Sequence, residues 1–504
     1  MTCARLPEMI CNVAEMAALA AEISLRMAPG MAVLLEGDLG AGKSTFARAF
    51  IRALAPRGAE FDIPSPTFTL VQTYTETRIP VAHADLYRTN SASELGELGL
   101  DELIQDHVVV VEWPERLDAS HWPDTLEIEI TGRGDSRHVK LMAKGRCATG
   151  LARNLLIKAF LANTKWKSAT REFLEGDASF RRYEALRGET PVILMDMPAR
   201  ADGPPVKHGK PYSAVAHLAE DIRAVAAING KLVAAGYSAP VVHALDTSSG
   251  LAIIEDLGRE VFATRIRAGV DMREPMRVAV EVLADIARQD WPVEAPVGDG
   301  QMHIVPPYDE DAQLIEVDLL PSWFWPYRHG VDVPADLREE FADIWKKLLP
   351  FTREPKAVWT LRDYHSPNLL WLPERSGLRR IGIIDSQDCV RGHPAYDLAS
   401  MLQDARVDID FSWADELLEH YCSLRQRLDR ADFEAAYALL GAQRATKILG
   451  IFARLSKRDG KHAYLAHLPR VSRCLERNLQ HPMLAPLKRW YDKHLPAELR
   501  EARR

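Results

Sequence analysis

Gly37-Asp38-Leu39-Gly40-Ala41-Gly42-Lys43-Ser44-Thr45 lies between an apolar run, residues 31–36, and a stretch, residues 44–54, whose apolar side chains recur at helical spacing. It fits G-x-x-x-x-G-K-[ST] in the context that gives the motif meaning, a strand before it and a helix after it. Glycines let successive backbone N–H groups curl around phosphates at a helix N-terminus. Lys43 offsets the β and γ charge, and the Ser44 hydroxyl is a Mg²⁺ ligand. Gly37, Gly40, Gly42, Lys43, Ser44 and Thr45 are therefore the candidate ATP-binding set of the N-terminal region. The order helix (8–28), strand (31–36), helix (44–54), strand (108–111) predicts a parallel α/β sheet. Strands at 125–131 and 138–143 close it across the turn Gly132-Arg133-Gly134-Asp135. The run 108–111 ends in Glu112, which puts a carboxylate at the C-terminal edge of the sheet, where a metal would serve the phosphates. Asp85 is a second candidate.

At 504 residues the chain exceeds one ordinary core. A boundary is expected at a short stretch near Gly145 to Gly150, ahead of a new helix at 151–163, giving domains 1–148 and 152–500. With 47% hydrophobic and 27% charged residues the composition is that of a folded protein. A formal charge of -8 excludes a surface that is basic as a whole and leaves only a local basic patch for nucleic acid. The six cysteines show neither C-x-x-C pairs nor zinc spacing, as in a reducing compartment. Glu8, Glu15 and Glu22 interrupt the one N-terminal stretch that resembles a signal peptide, and no run approaches the ~18 apolar residues of a spanning helix. A cytoplasmic protein with no membrane contact is expected.

The P-loop residues, together with Ser65-Pro66-Thr67-Phe68, His83-Ala84-Asp85-Leu86-Tyr87-Arg88 and Glu112-Trp113, resemble the ATPase subunit of the bacterial threonylcarbamoyladenosine tRNA-modification machinery, over about residues 5–145. The resemblance implies that Thr67 lies in a switch-like loop, that Asp85 and Glu112 serve the metal and hydrolysis, and that Trp113 lies beside the nucleotide. Read from the residue alone, Trp113 is equally a core aromatic. The resemblance also implies partner proteins of the TsaB and TsaD type, slow turnover without them, and contact with tRNA only indirectly.

Beyond residue 166 a few strands (181–187, 192–196, 251–256) give way to helices, a small sheet lobe followed by a helical lobe. Residues 199–211 and 292–307, rich in Pro and Gly, are expected to be loops. Leu361-Arg362-Asp363-Tyr364-His365-Ser366-Pro367-Asn368 sets an Asp and an Asn five apart, and the apolar run 381–384 delivers Asp385 seventeen residues later. Phosphoryl transfer to a hydroxyl needs such a set: Asp363 to orient the attacking oxygen and take its proton, Asn368 and Asp385 to hold Mg²⁺.

His393-Pro394-Ala395-Tyr396-Asp397-Leu398-Ala399 adds to this a resemblance to the aminoglycoside-phosphotransferase and choline-kinase superfamily, which implies a bilobal, protein-kinase-like α+β domain. In that likeness Asp397 is structural and Ile253 to Leu257, with Glu255 and Leu257, is the hinge that meets adenine. Gly176 to Tyr183, with Ser179 and Arg181, is the phosphate-covering loop. Gly176 to Tyr183, Ile193 to Pro198, Leu361 to Asn368 and Gln443 to Arg454 resemble more closely the anomeric N-acetylmuramate/N-acetylglucosamine kinases of cell-wall recycling, over about residues 152–495. That family moves the ATP γ-phosphate to the sugar's C1 hydroxyl. Without the resemblance, Gln443 to Arg454 reads as an amphipathic helix with a solvated basic face. Trp323, Trp325 and Arg444 are candidate sugar contacts. Met195 stands where kinase-like folds carry a strand-ending Lys, so Arg181 or Arg182 is expected to supply that charge, and Glu220 loses the partner expected for it. Rival readings are an N-terminal assembly factor, a C-terminal pseudokinase scaffold motivated by Met195, and an aminoglycoside or choline-type acceptor.

Overall fold

The computed structural model describes residues 3–501 except 57, 60, 90–91, 133, 175–180, 200–202, 299 and 354–356. The chain divides into two compact units, Met1–Asp177 with Tyr183–Pro191, and Ala178–Arg182 with Val192–Arg504.

The first unit is built on β1 (Cys3–Arg5), β2 (Met9–Cys11), α1 (Val13–Ser24), β3 (Ala32–Glu36), α2 (Lys43–Leu54), β4 (Val71–Tyr74), β5 (Val81–Asp85), β6 (Val108–Glu112), β7 (Thr125–Thr131) and β8 (Arg137–Lys144). The sheet runs β1-β8-β7-β3-β6-β5-β4, with β2 also on β8. β3 lies parallel to both β6 and β7, and β5 is parallel to β6. The apolar runs are continuous because both faces are covered. Val33 and Leu35 pack with Phe46 and Phe50 of α2, while Ala32 and Leu34 join Ala82, Ala84, Val109 and Val111 on the other face.

Two local expectations are corrected here. The helix expected at 8–28 is α1 alone, preceded by β2. Asn12 accepts from Glu15 N at 2.9 Å while Glu15 Oε2 accepts from Asn12 N at 2.8 Å, and this capping box fixes the helix start. The stretch expected before a helix at 151–163 is itself helical, in a single helix Gly145–Ala162. Its first turn is held by Asp124, whose Oδ1 accepts from Arg146 N at 2.6 Å.

The hairpin of Thr170–Leu174 and Arg182–Arg187 packs into this unit through buried charge. Glu184, 2% exposed, accepts from Arg26 Nη2 at 2.7 Å and from Arg171 Nε and Nη2 at 2.6 and 3.0 Å. Asn154 Nδ2 donates to Glu22 O at 3.1 Å.

The second unit contains the antiparallel strands Val192–Asp196, Leu251–Glu255 and Val242–Asp246, the helix Ile222–Ala234, and a helical part crossed by the 30-residue helix Arg430–Asp459. The segments expected as loops at 199–211 and 292–307 contain short hairpins, Pro205–Lys207 with Lys210–Pro211 and Glu294–Gly298 with Gln301–Ile304. Pro296 is accommodated because the register shifts between it and Gly298. Among the described residues, no helix is long and apolar enough to cross a membrane.

Candidate active sites

The first site forms where β3, β5 and β6 end. Gly37, Gly40 and Gly42 have φ of 140°, 81° and 112°, so the chain between β3 and α2 turns through left-handed backbone. At Gly37 a Cβ would stand 2.1 Å from the Ile130 carbonyl oxygen, so only glycine fits. No side chain caps α2, which leaves its first N–H groups for an anion. Buried Lys43 donates to Gly37 O at 2.5 Å and Asp38 O at 3.0 Å, and its Nζ lies 3.5 Å from the centroid of the Trp113 ring. Burial lowers its pKa, against the pull of Glu112, Glu115, Asp85 and Asp38.

Asp85 and Glu112 are register partners in the parallel β5/β6 pair, so their carboxylates emerge side by side. Glu112 Oε2 accepts from Ser44 Oγ at 2.7 Å. Asp85 Oδ2 accepts from Thr67 Oγ1 at 2.9 Å and from Ser65 Oγ at 3.4 Å, and Oδ1 from Tyr87 N at 3.1 Å. Ser44, Thr67, Asp85 and Glu112 thus converge on Lys43. Thr45 follows in the first turn of α2, partly exposed. Trp113, at φ 64°, is half-buried between Lys43 and Tyr87, whose ring centroid is 4.9 Å away. Sequence reasoning gives His83 no role. It is fully buried, its Nε2 is 3.0 Å from Glu112 Oε1, and its Nδ1 has no partner. The signal was available: His83 precedes Asp85 by two in a strand and so shares its face.

The second site is the segment Leu361 to Asn368. Two buried carboxylates pin it. Asp397 accepts from Leu361 N at 2.6 Å and Arg362 N at 2.8 Å, and Asp404 accepts from Ser366 N and Oγ at 2.8 and 2.6 Å. Burial pushes Asp397 up to about 7 against these two N–H donors. Between the anchors, Asp363 is partly exposed, with His365 Nε2 at 3.5 Å from its Oδ1. Burial favours the protonated Asp363, but His365, Lys447 and Arg444 outweigh it and hold the carboxyl well below the usual range.

Asn368 Nδ2 donates to Asp363 O at 3.1 Å. Strand Leu369–Trp371 pairs with Ile381–Ile383, and Ile384 N donates to Asn368 O at 3.0 Å, which carries Asp385 to the Asn368 side of the loop. Asp385 has φ 61° and Arg362 φ 66°, left-handed conformations that non-glycine residues adopt only where the surroundings enforce them. Arg181 Nη1 is 2.6 Å from Asp385 Oδ1, so the guanidinium stands at the candidate metal carboxylate, whereas Met195 is buried in its strand. Leu257 packs with Leu370 and Leu372, and Ile384 joins them. Glu255 pairs with Arg375 at 2.6 Å. Ser179 lies outside the described residues.

Beneath the loop lies a group that local sequence did not reveal. Glu316, fully buried, pairs with Arg362 and with Lys447 Nζ at 2.8 Å, and accepts from Tyr308 OH at 2.5 Å and Gln443 Nε2 at 2.9 Å. Burial would raise its pKa, but Lys447 and Arg362 carry it down to about 2. Gln443, Arg444 and Thr446 are buried, which corrects the solvated reading of that helix face. Two of the candidate sugar contacts, Trp325 and Arg444, are buried. Trp325 is a core residue stacked on His329 at 4.1 Å, and Arg444 lines a cavity of only about 10 Å³ with Gln403 and Cys474.

A P-loop at the edge of a parallel sheet, followed by a loop of the Asp-x-x-x-x-Asn type facing a strand-end Asp, defines an ATPase domain joined to a kinase-like phosphotransferase. Residues 10–139 match the family described as threonylcarbamoyl adenosine biosynthesis protein TsaE, and residues 170–439 match the phosphotransferase enzyme family. An N-acetylmuramate/N-acetylglucosamine kinase of Caulobacter vibrioides is 38% identical over 68% of this chain and 96% of its own length. The kinase of the same name from Pseudomonas aeruginosa is 30% identical over 62% of this chain and 84% of its own. A tRNA threonylcarbamoyladenosine biosynthesis protein TsaE of Rickettsia felis is 37% identical over 24% of this chain and 68% of its own. The chain belongs to the phosphotransferase enzyme family through its C-terminal part and to the TsaE family through its N-terminal part, and is a fusion of the two.

Proposed function

We propose that the protein carries two separate ATP sites on modules 1–148 and 152–500. The first hydrolyses ATP for a tRNA threonylcarbamoyladenosine machinery of TsaB- and TsaD-type partners, touching tRNA only indirectly. The second phosphorylates the C1 hydroxyl of N-acetylmuramate and N-acetylglucosamine in cell-wall recycling. Both reactions belong to the cytoplasm.

In the first module the α2 N–H groups and Lys43 hold the phosphates, Thr67 bonded to Asp85 orders the loop that faces them, and Glu112 aligns water. Ser44 and Glu112 form a hydroxyl and carboxylate pair suited to Mg²⁺. In the second, Asp363 accepts the proton of the C1 hydroxyl as its oxygen attacks the γ-phosphorus, and Arg181 offsets phosphate charge in the role left open at Met195. Glu255 and Leu257 line the adenine side. Asn368 and Asp385 fit Mg²⁺ as a hard-oxygen pair, and there the ion would supply charge neutralisation for the transferred group.

What supports the kinase reading is that the pairing of Leu369–Trp371 with Ile381–Ile383 and the Ile384 N to Asn368 O bond bring Asp385 beside the segment that carries Asp363 and Asn368, in a chain 38% identical to an N-acetylmuramate/N-acetylglucosamine kinase over 96% of that protein. Incubation of the full-length protein with ATP and each sugar, with the sugar 1-phosphate identified by mass and by ³¹P NMR, tests it. Absence of product from both sugars would remove the kinase reading. For the first site, ATP turnover that partner proteins leave unchanged, and that Glu112→Ala does not alter, would favour an assembly role over hydrolysis.

A further inference from the structure

Gln443, Lys447, Gly450 and Arg454 recur at i, i+4, i+7 and i+11 on the helix Arg430–Asp459, so they form one stripe along it. Gln443 and Lys447 are both turned to Glu316. Gly450 lies against the turn that follows, where an added Cβ would meet the Leu319 carbonyl carbon at 2.4 Å. Three of the four positions are therefore accounted for by packing or by a counter-charge.

Arg454 is not. Among the described residues no carboxylate reaches it at ion-pair distance, and its Nε is buried without a hydrogen-bond partner. The nearby carboxylate, Asp459, is taken by Arg458 at 2.7 and 2.9 Å. The guanidinium lies instead over the ring of Tyr212, 5.4 Å from its centroid. Burial lowers the pKa of Arg454 and raises that of Tyr212 to about 12, so at neutral pH the pair offers a partly buried cation and an O–H donor. A partly buried cation is stabilised when an anion meets it, as Lys447 two turns away is by its bond to Glu316.

We propose, on the reading of this unit as a sugar kinase, that Arg454 and Tyr212 receive the carboxylate of an acidic amino sugar, making N-acetylmuramate rather than N-acetylglucosamine the acceptor that this pair favours. Arg362, the residue before Asp363, donates through Nη1 to Ala216 O at 2.8 Å, at the end of the short helix Tyr212–Val215, so the helix that carries the tyrosine is tied to the catalytic segment. N-acetylmuramate with its C1 hydroxyl at Asp363 would turn the lactyl carboxylate borne on C3 toward the Arg454–Tyr212 pair. N-acetylglucosamine lacks that carboxylate and leaves Arg454 without a partner.

The test uses the full-length protein with N-acetylmuramate, its neutral methyl ester, and N-acetylglucosamine. With the unaltered protein, the ester is expected to show a KM about tenfold above that of the acid, the loss of one charge-assisted bond. In Arg454→Gln the KM ratio of N-acetylmuramate to N-acetylglucosamine should rise by about tenfold, and acid and ester should become equivalent. An ester used as well as the acid by the unaltered protein would overturn the assignment without any variant having to fold. So would a fall in Arg454→Gln that is equal for both sugars. Failure of the unaltered protein to phosphorylate either sugar would instead defeat the kinase reading on which the inference rests.

Discussion

The two phosphate sites are built in opposite ways. In the first, nine consecutive residues supply the cradle, the donors are main-chain N–H groups, and the positively charged side chain that completes it, Lys43, is held by carbonyls of its own loop. In the second, three separate segments contribute Arg181, the pair Asp363 and Asn368, and Asp385, and buried Asp397, Asp404 and Glu316 fix the loop that carries the base. A site made of backbone depends on local conformation, and a site made of side chains depends on whatever buries and balances them. The first should therefore be sensitive to its glycines and to Lys43 but tolerant of a hydroxyl-conserving change at Ser44, and the second vulnerable far from its chemistry.

The largest effect is expected at Glu316. Glu316→Ala leaves Arg362 and Lys447 as uncompensated buried cations, a change that typically costs about 3–5 kcal/mol, read as a fall in the denaturation midpoint of the second unit. The first unit should keep its own transition. The same residue sets a pH dependence. Its carboxyl is depressed from the usual 4.5 to about 2, so its stabilising contribution is complete above pH 4.5 and is lost as pH falls through 2. Glu316→Gln should flatten the acid limb in that window, and an unchanged limb would show that the network is not what holds the loop.

Next in size is the catalytic base. Asp363→Asn keeps the shape of the loop and removes the proton acceptor, and should lower sugar phosphorylation about a hundredfold or more while leaving ATP hydrolysis at the P-loop intact. Lys43→Ala should do the reverse. Sugar 1-phosphate and ADP measured side by side in both variants check this, and a variant that lowers both activities together breaks the comparison.

What could be read in advance follows the same division. The P-loop needed no tertiary information, because its function is encoded in one contiguous stretch with three spaced glycines and one lysine. The spacing of Asp363, Asn368 and Asp385 was also legible, since a short β-turn-β path connects them. Glu316 was not. It is an ordinary acidic residue on an amphipathic helix until Arg362, 46 positions away, and Lys447, 131 positions away, are folded onto it. The solvated reading of Gln443 to Arg454 failed for the same reason. The helix start at Gly145 is not legible locally because its first turn is held by Asp124, 22 residues before Arg146 and across β7 and β8, and the helix expected at 8–28 exceeds α1 because apolar Met9-Ile10-Cys11 satisfies a strand on β8 as readily as a helix.

The smallest effect sharpens the comparison most. Ser44 contributes one hydroxyl, bonded to Glu112 Oε2 at 2.7 Å, from the partly exposed first turn of α2. Threonine keeps that oxygen and adds a methyl where the side chain is not enclosed. Its χ1 is restricted in a helix, but it retains two accessible rotamers. Ser44→Thr should therefore change ATP turnover by no more than about twofold, because the oxygen is kept and a partly exposed substitution of this kind shifts stability by only about 0.5 kcal/mol. One residue past the end of β3 the opposite rule applies at Gly37, where an added Cβ would stand 2.1 Å from the Ile130 carbonyl oxygen on a backbone with φ of 140°. Gly37→Ala should abolish nucleotide binding where Ser44→Thr preserves it, as read by titration with a fluorescent ATP analogue. Equal tolerance at both positions would mean that the cradle is not made by the backbone.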